Sequence, residues 1–279
     1  MMNEKNTAII TCIDQNYEEN LEFDFLETLF NKAKYSGKVI VLDYGMSEVV
    51  SERIRKKFPV LIYRLKKELA VFAIRFKHIP QVLRTLDEEI KQVLVIDGGD
   101  VWFQQSLWPM FELTENKIGV ITEDRIVGED DWTDRGMNNL SVEMRDQVMH
   151  ELKGRRVINA GVVCGDREKM EVLYRKVYND ILACGIEYFG VDQLFLNCEW
   201  YKLEETEKTF LDNQYNYVVI SHDKEEYSIK DDIIYTKNGD MITVVHNAGG
   251  NWRVIERPFK NKYVNEQQYY IENINRIAN

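Results

Sequence analysis

Two aspartates three residues apart follow the apolar run VLVI at residues 93–96, in the stretch KQVLVIDGGDVWF. A carboxylate at a strand end can hold a divalent ion through oxygen. Asp97 would sit at that end, Gly98 and Gly99 would let backbone approach a bulky ligand, and Asp100 would return to the same space. A cation held there would neutralise a diphosphate and accept the charge that develops on it as it leaves. The bland alternative is an Asp-Gly turn with solvated carboxylates. Late in the chain, VVHNAGG at 244–250 sets His246 after an apolar run and before Gly249 and Gly250. An imidazole there could join the acids, with one ring nitrogen on a metal and the other needing an orienting partner. Taken alone, such a histidine is more often structural.

Two further segments mix polar groups into apolar surroundings. Asn159, Ala160 and Gly161 interrupt VINAGVV, so the amide is expected to be buried and to require partners, either the hydroxyls of a ligand or a nearby backbone turn. Asp192 and Gln193 open VDQLFLN, where Val191, Leu194 and Phe195 can anchor the polar pair. Asp192 could equally be a helix cap.

The elements that must position these residues alternate. TAIITCI (7–13), KVIVLDYG (38–45), PVLIYRL (59–65), VLVI (93–96) and KIGVI (117–121) read as strands. Residues 22–35, with Phe23, Leu26, Leu29, Phe30 and Ala33 on one face, and SEVVSERIRKKF with Ser47 as cap, read as helices. Pro80 suits the first turn of a helix through about Ile90. Alternation over the first 120 residues predicts an α/β, mostly parallel layered sheet whose ligand crevice lies beyond the strand C-termini. Residues 122–156 turn polar and irregular and read as an insertion near the active site or on the acceptor side, ending in a helix around Val142 to Leu152. RVINAGVVCGD is then a strand with a small-residue bend, REKMEVLYRKVYNDILAC an amphipathic helix, and YNYVVI and MITVVH later strands. Residues 251–279 read as an extension carrying a terminal helix in EQQYYIENINRI, and nothing demands a second domain over 1–279.

Lysine plus arginine total 36 against 47 aspartates and glutamates, a net charge of −11, which argues against a polyanion-binding surface and hence against nucleic acid as partner. Four cysteines, Cys12, Cys164, Cys184 and Cys198, show no metal-ligand spacing and read as reduced thiols. No stretch has signal-peptide character or reaches the roughly 18 apolar residues of a membrane span. The expected location is cytoplasmic, or peripheral to a membrane through the acceptor.

In their order, the acidic strand end, INAGVVCGD, GVDQLFLN and VVHNAGG resemble the metal-dependent nucleotide-sugar glycosyltransferases of GT-A fold, over roughly residues 7–250. That resemblance implies a Rossmann-like sheet flanked by helices, with Asp97, Asp100 and His246 as ligands of Mn²⁺ or Mg²⁺. The acids depart from the usual Asp-x-Asp, since the second falls at position 100; an Asp-x-x-Asp form also occurs in related sugar transferases. It implies that Thr11, Cys12 and Ile13 hold the base, with a UDP-sugar favoured as donor. Arg75, Lys77 and Arg253 are implied at the donor sugar or phosphates, beside Asp97, Gly98, Asn159, Ala160, Gly161 and Gly249. Asp192 and Gln193 fall near the anomeric carbon, where Asp192 would act as general base if the reaction inverts, or orient the acceptor if it retains. Among the tryptophans, Trp132 in the polar insertion is the preferred stacking surface for an acceptor sugar. The implied reaction moves a hexosyl group from a nucleoside-diphosphate sugar to a hydroxyl of a saccharide, lipid-linked or small-molecule acceptor.

Two other readings share these features. A sugar-nucleotide nucleotidyltransferase would use a similar layered fold, but would want a glycine-rich basic loop after the first strand where TCIDQNYEENLEF is acidic. A glycan-binding or assembly protein that kept the fold after losing turnover could still bind metal at the acidic pair but would show no donor hydrolysis or transfer.

Overall fold

The structure is a computed structural model and describes residues 3–129, 133, 136–185, 187–219 and 226–248. Its main sheet takes strands in the order β3(Val60–Arg64), β2(Lys38–Asp43), β1(Thr7–Ile13), β4(Gln92–Asp97), β7(Arg156–Asp166), β6(Ile118–Ile126), β8(Lys208–Phe210). Neighbours are parallel throughout except at β7, which runs antiparallel to both β4 and β6. The small-residue stretch within β7 is no break. The strand runs on through Asn159, Ala160 and Gly161, and the irregularity appears as register shifts against β6.

The inner strands are apolar on both faces because both are covered. Ala8, Ile10, Ile40, Leu42, Val93 and Val95 pack with one buried cluster, which includes Phe76 and Ile79 of the Val71–Thr85 helix and Leu173 and Val177 of the Arg167–Cys184 helix. Ile9, Val39, Val41, Leu94 and Ile96 face the opposite way, toward Phe25, Leu29 and Ile54. This period of two follows from successive side chains pointing to opposite faces of a strand.

Pro80 lies well inside the Val71–Thr85 helix and not in its first turn. Ala73, Ile74, Phe76, Ile79, Pro80 and Leu83 recur at helical spacing and are all buried. That continuous apolar face outweighs the one backbone hydrogen bond the proline forgoes. The irregular stretch begins later than the sequence suggests, since β6 continues to Ile126, while the Val142–Leu152 helix lies where it was expected, behind its Ser141 cap.

A smaller sheet sits beside the carboxyl end of β4. In it β12(Val244–His246) lies between β5(Val101–Phe103) and β9(Tyr217–Val218). A hairpin of β10(Tyr227–Lys230) and β11(Ile233–Thr236) packs nearby through Ile234, against Trp102, Tyr217 and Val245. All four cysteines are free. The expected terminal helix and the 251–279 extension lie outside the described residues.

Candidate active site

β4 delivers Asp97 at its end, and the chain turns through Gly98, Gly99 and Asp100 into β5. Antiparallel pairing of β5 with β12 sets His246 opposite Val101, and parallel pairing with β9 sets it opposite Val218. Ligand atoms of Asp97, Asp100 and His246 consequently lie within 4.8 Å of one another. His246 Nε2 is 3.5 Å from Asp100 Oδ1 and 3.8 Å from Asp97 Oδ2. The backbone N–H of Asn247 donates to the Asp100 carbonyl at 2.8 Å, clamping the two chain segments together.

The glycines between the acids also serve a contact within the chain. A Cβ on Gly98 would stand 2.5 Å from Thr11 Oγ1, and one on Gly99 would stand 2.7 Å from the Tyr17 ring. Their absence lets the acid loop lie against the end of β1 and Tyr17, where Asn20 Nδ2 holds the Gly99 carbonyl at 2.7 Å. The glycine that opens space at the acids is Gly161 on β7. A Cβ there would stand 2.8 Å from Asp97 Oδ2 and 2.9 Å from Asn159 Oδ1, and would overlap His246 Cε1.

Arg75 lies beneath the acids and ties them to the next carboxylate. Its guanidinium bonds Asp97 Oδ1, donates to Asp192 Oδ2 at 2.8 Å and reaches the Ala160 carbonyl at 3.3 Å. The Arg75 and Asp192 side chains are each 7% exposed, so this is a buried ion pair. Burial alone would lower the arginine's proton affinity; Asp97 and Asp192 more than offset it and hold the guanidinium charged. Asp192 is pushed up by burial, an effect that the Arg75 charge opposes. The helix Val191–Tyr201 takes Gly190 as its cap, so Asp192 is committed to Arg75 and not to capping. Lys77, expected beside Arg75, lies apart from this group, with its ammonium on Glu68 at 2.5 Å.

Asn159 is 5% exposed, and both ends of its amide are satisfied by protein. Its Nδ2 donates to Glu123 Oε1 at 2.7 Å; its Oδ1 accepts from Gly161 N at 2.9 Å and from Asn216 Nδ2 at 3.0 Å. Asn216 in turn places Oδ1 2.9 Å from His246 Nδ1. Gln193 Oε1 accepts from Ala160 N at 3.1 Å. Beside Gln193 opens a largely apolar cleft of about 220 Å³, lined in part by Val127, Tyr188, Phe189 and Leu194.

Of the residues expected at the base, Thr11 and Ile13 turn into the protein, while Cys12 stands toward Arg75 and Asp97, its thiol pushed up to about 12 by burial. Trp102 and Trp200 are packed in the interior, the latter donating to the Ile118 carbonyl at 3.1 Å. Trp132, Gly249 and Arg253 lie outside the described residues. Glu123 and Asn216 were not singled out from sequence. Glu123 opens the run EDRIVGEDD, where its neighbours are equally polar, and Asn216 sits among the amides of DNQYN.

The donor set fits a divalent cation. Burial pushes the His246 imidazole down, but Asp100 and Asp97 outweigh that and hold it above the ordinary histidine range. Two carboxylates thus draw positive charge into their midst. Two carboxylates and one imidazole within reach of one another are a donor set of the kind that holds a divalent metal.

No protein-family model matches the chain, and no curated protein matches it by sequence. Solved structures do. The galactosyltransferase LgtC, determined in complex with donor and acceptor sugar analogs, superposes with a TM-score of 0.59 at 18% identity, covering 87% of each chain. The bifunctional glycosyltransferase WbbM, in its apo form, gives 0.58 at 14% identity over 89% of this chain and 47% of its own. With the β7 inversion in an otherwise parallel sheet and the acids at the carboxyl end of β4, the chain has the GT-A fold of these glycosyltransferases.

Proposed function

We propose that this chain is a metal-dependent glycosyltransferase that moves a hexosyl group from a nucleoside-diphosphate sugar, a UDP-sugar foremost, to a hydroxyl of a saccharide, lipid-linked or small-molecule acceptor. The observation that carries the reading is the convergence of Asp97, Asp100 and His246 from two distant chain segments onto one spot at the carboxyl edge of the sheet. LgtC, whose fold this chain shares, was captured with donor and acceptor sugar analogs, which supports a reaction between two sugar-bearing substrates on this fold.

Asp97, Asp100 and His246 would hold Mn²⁺ or Mg²⁺, and the ion would supply charge neutralisation for a leaving diphosphate. The rest falls to the chain's own groups. Arg75 fixes Asp97 and Asp192 at a set separation, so the metal-side acid and the second acid move as one unit. Asp192 and Gln193 are proposed beside the anomeric carbon. Burial raises the proton affinity of Asp192, the direction a base requires, while its bond to Arg75 suits an orienting role equally. Gln193 borders the apolar cleft, which suits an acceptor that presents an apolar face. Proximity and fixed charge would do most of the chemistry. No helix among the described residues is long and apolar enough to cross a membrane; a cytoplasmic location, with membrane contact only through the acceptor, is part of this proposal.

The test is donor hydrolysis and transfer with Mn²⁺ or Mg²⁺ across UDP-, GDP- and other sugars. Asp97→Asn and Asp100→Asn are expected to lower turnover of the active donor at least about 100-fold, the rate equivalent of several kcal/mol of lost charge stabilisation. Wild-type turnover in both variants would end the proposal.

A further inference from the structure

The polar chain Glu123–Asn159–Asn216–His246 has a direction that can be read without assuming how either amide is turned. At one end Glu123, 8% exposed and flanked by Arg125 at 3.5 Å, is an acceptor, so the Asn159 atom facing it at 2.7 Å must be the NH₂ group. The opposite Asn159 atom faces the backbone N–H of Gly161 at 2.9 Å, which can only donate, and is therefore the oxygen. These two constraints are independent and agree. Asn216 then has to present NH₂ to that oxygen at 3.0 Å, which leaves its own oxygen toward His246 Nδ1 at 2.9 Å. A carbonyl oxygen accepts, so Nδ1 carries the proton. In the neutral ring the lone pair of Nε2 then faces Asp97 and Asp100, the same position where those acids favour a second proton when no ion is bound.

We propose that Asn216 is a positioning residue that fixes His246 as the Nδ1–H tautomer and so aims an unprotonated Nε2 at the acid pair, with Asn159 and Glu123 setting the sense of the relay. The inference rests on the metal-site reading above and adds to it the partner that decides which ring nitrogen is available. Asn216 is 2% exposed and makes both side-chain bonds inside this chain of groups. It immediately precedes β9, whose pairing with β12 fixes the distance between the two side chains. Partners of this kind typically change metal affinity 10- to 100-fold when removed.

Long-range ¹H–¹⁵N correlation on imidazole-labelled, metal-free protein under mildly alkaline conditions reads the tautomer directly, with the His246→Ala spectrum assigning the resonance among the 4 histidines. The wild type is expected to show Nδ1–H, and an Nε2-protonated ring overturns the proposal with no variant needed. Asn216→Ala is expected to lose the preference and to raise the Mn²⁺ Kd, from electron spin resonance of free Mn²⁺, about tenfold or more. Asn216→Asp still offers an acceptor oxygen and is expected to retain the tautomer. Wild-type tautomer and Kd in Asn216→Ala also overturn the proposal. Failure of the underlying site has its own signature: His246→Ala and Asp97→Asn would then leave Mn²⁺ binding unchanged.

Discussion

A methyl group added at position 161 would press on three members of the site at once: Asp97 Oδ2, Asn159 Oδ1 and the His246 ring. All three belong to the converged acids or to the relay behind them, so none can give way alone. Gly161→Ala is expected to cost about 1–3 kcal/mol in overpacking and to weaken Mn²⁺ binding about tenfold, read by urea unfolding and by Mn²⁺ titration of the same sample. Arg75 offers a second test at this scale. Removing its charge while keeping its stem, as Arg75→Met, leaves Asp192 in the interior without its counter-charge and should cost about 3–5 kcal/mol. Asp192→Asn in the same chain should return part of that loss, because the orphaned charge is then gone. Additive losses in the double variant would show that the two groups are not coupled. The acids, His246, Asn159 and Asp192 were legible in sequence because each breaks an apolar run, and a buried polar group in such a run needs a reason. Glu123 and Asn216 break no pattern. Only the bulged pairing of β6 with β7, and the pairing of β9 with β12, brings them to the site.

The long helices, at the scale of elements, declare themselves through apolar periodicity and side-chain caps: Ser47, Ser141 and Asp166 each accept a first-turn N–H. The short strands of the small sheet do so only in part: YNYVVI and MITVVH read as strands and hold β9 and β12, whereas β5 has too few residues to show a period, and the pairing that carries His246 to the acids leaves no mark in the sequence. Pro80 misled for a related reason. Its local preference is for a helix start, but the buried face running from Ala73 to Leu83 decides where the helix lies. Where the Arg167–Cys184 helix meets the Val191–Tyr201 helix, burial and the neighbouring Glu199 carboxylate push the Asp180 carboxyl up to about 6. A carboxyl raised in this way binds its proton more tightly in the folded than in the unfolded chain. Its favourable contribution is complete below the unfolded value near 4 and is lost as pH rises through about 6. Since Asp180 is half exposed, solvent screening reduces the effect to about 1 kcal/mol. Asp180→Asn should therefore raise the melting temperature above neutrality by about 2–4 °C and leave it unchanged below the unfolded value near 4. An equal gain at both pH values would assign the effect to packing.

For the whole molecule, alternation of strand and helix predicted the layered sheet, and topology explains why the site lies where it does. Every strand of the main sheet but β7 points the same way, so Asp97 emerges at the carboxyl edge where crevices form in such sheets. The net charge of −11 disfavours adding further anions, so a phosphate-bearing substrate needs a local counter-charge. An ion bound at the acids would supply that and would also cross-link the loop after β4 to β12, two segments far apart in the chain. Both ligand segments must be folded together for the site to exist, so binding belongs to the native state alone and should appear as stability. With Mn²⁺ at about 100 times its Kd the gain is about 2.7 kcal/mol, which for a chain of this size raises the melting temperature by roughly 5–10 °C. Calorimetric scans with Mn²⁺ and with chelator should differ by that amount in the wild type. The difference should collapse in His246→Ala, which removes the only described ligand on β12 and with it the cross-link. A shift of the same size in that variant would place the ion on the acid loop alone, and the convergence of the two sheets would then have no part in holding it.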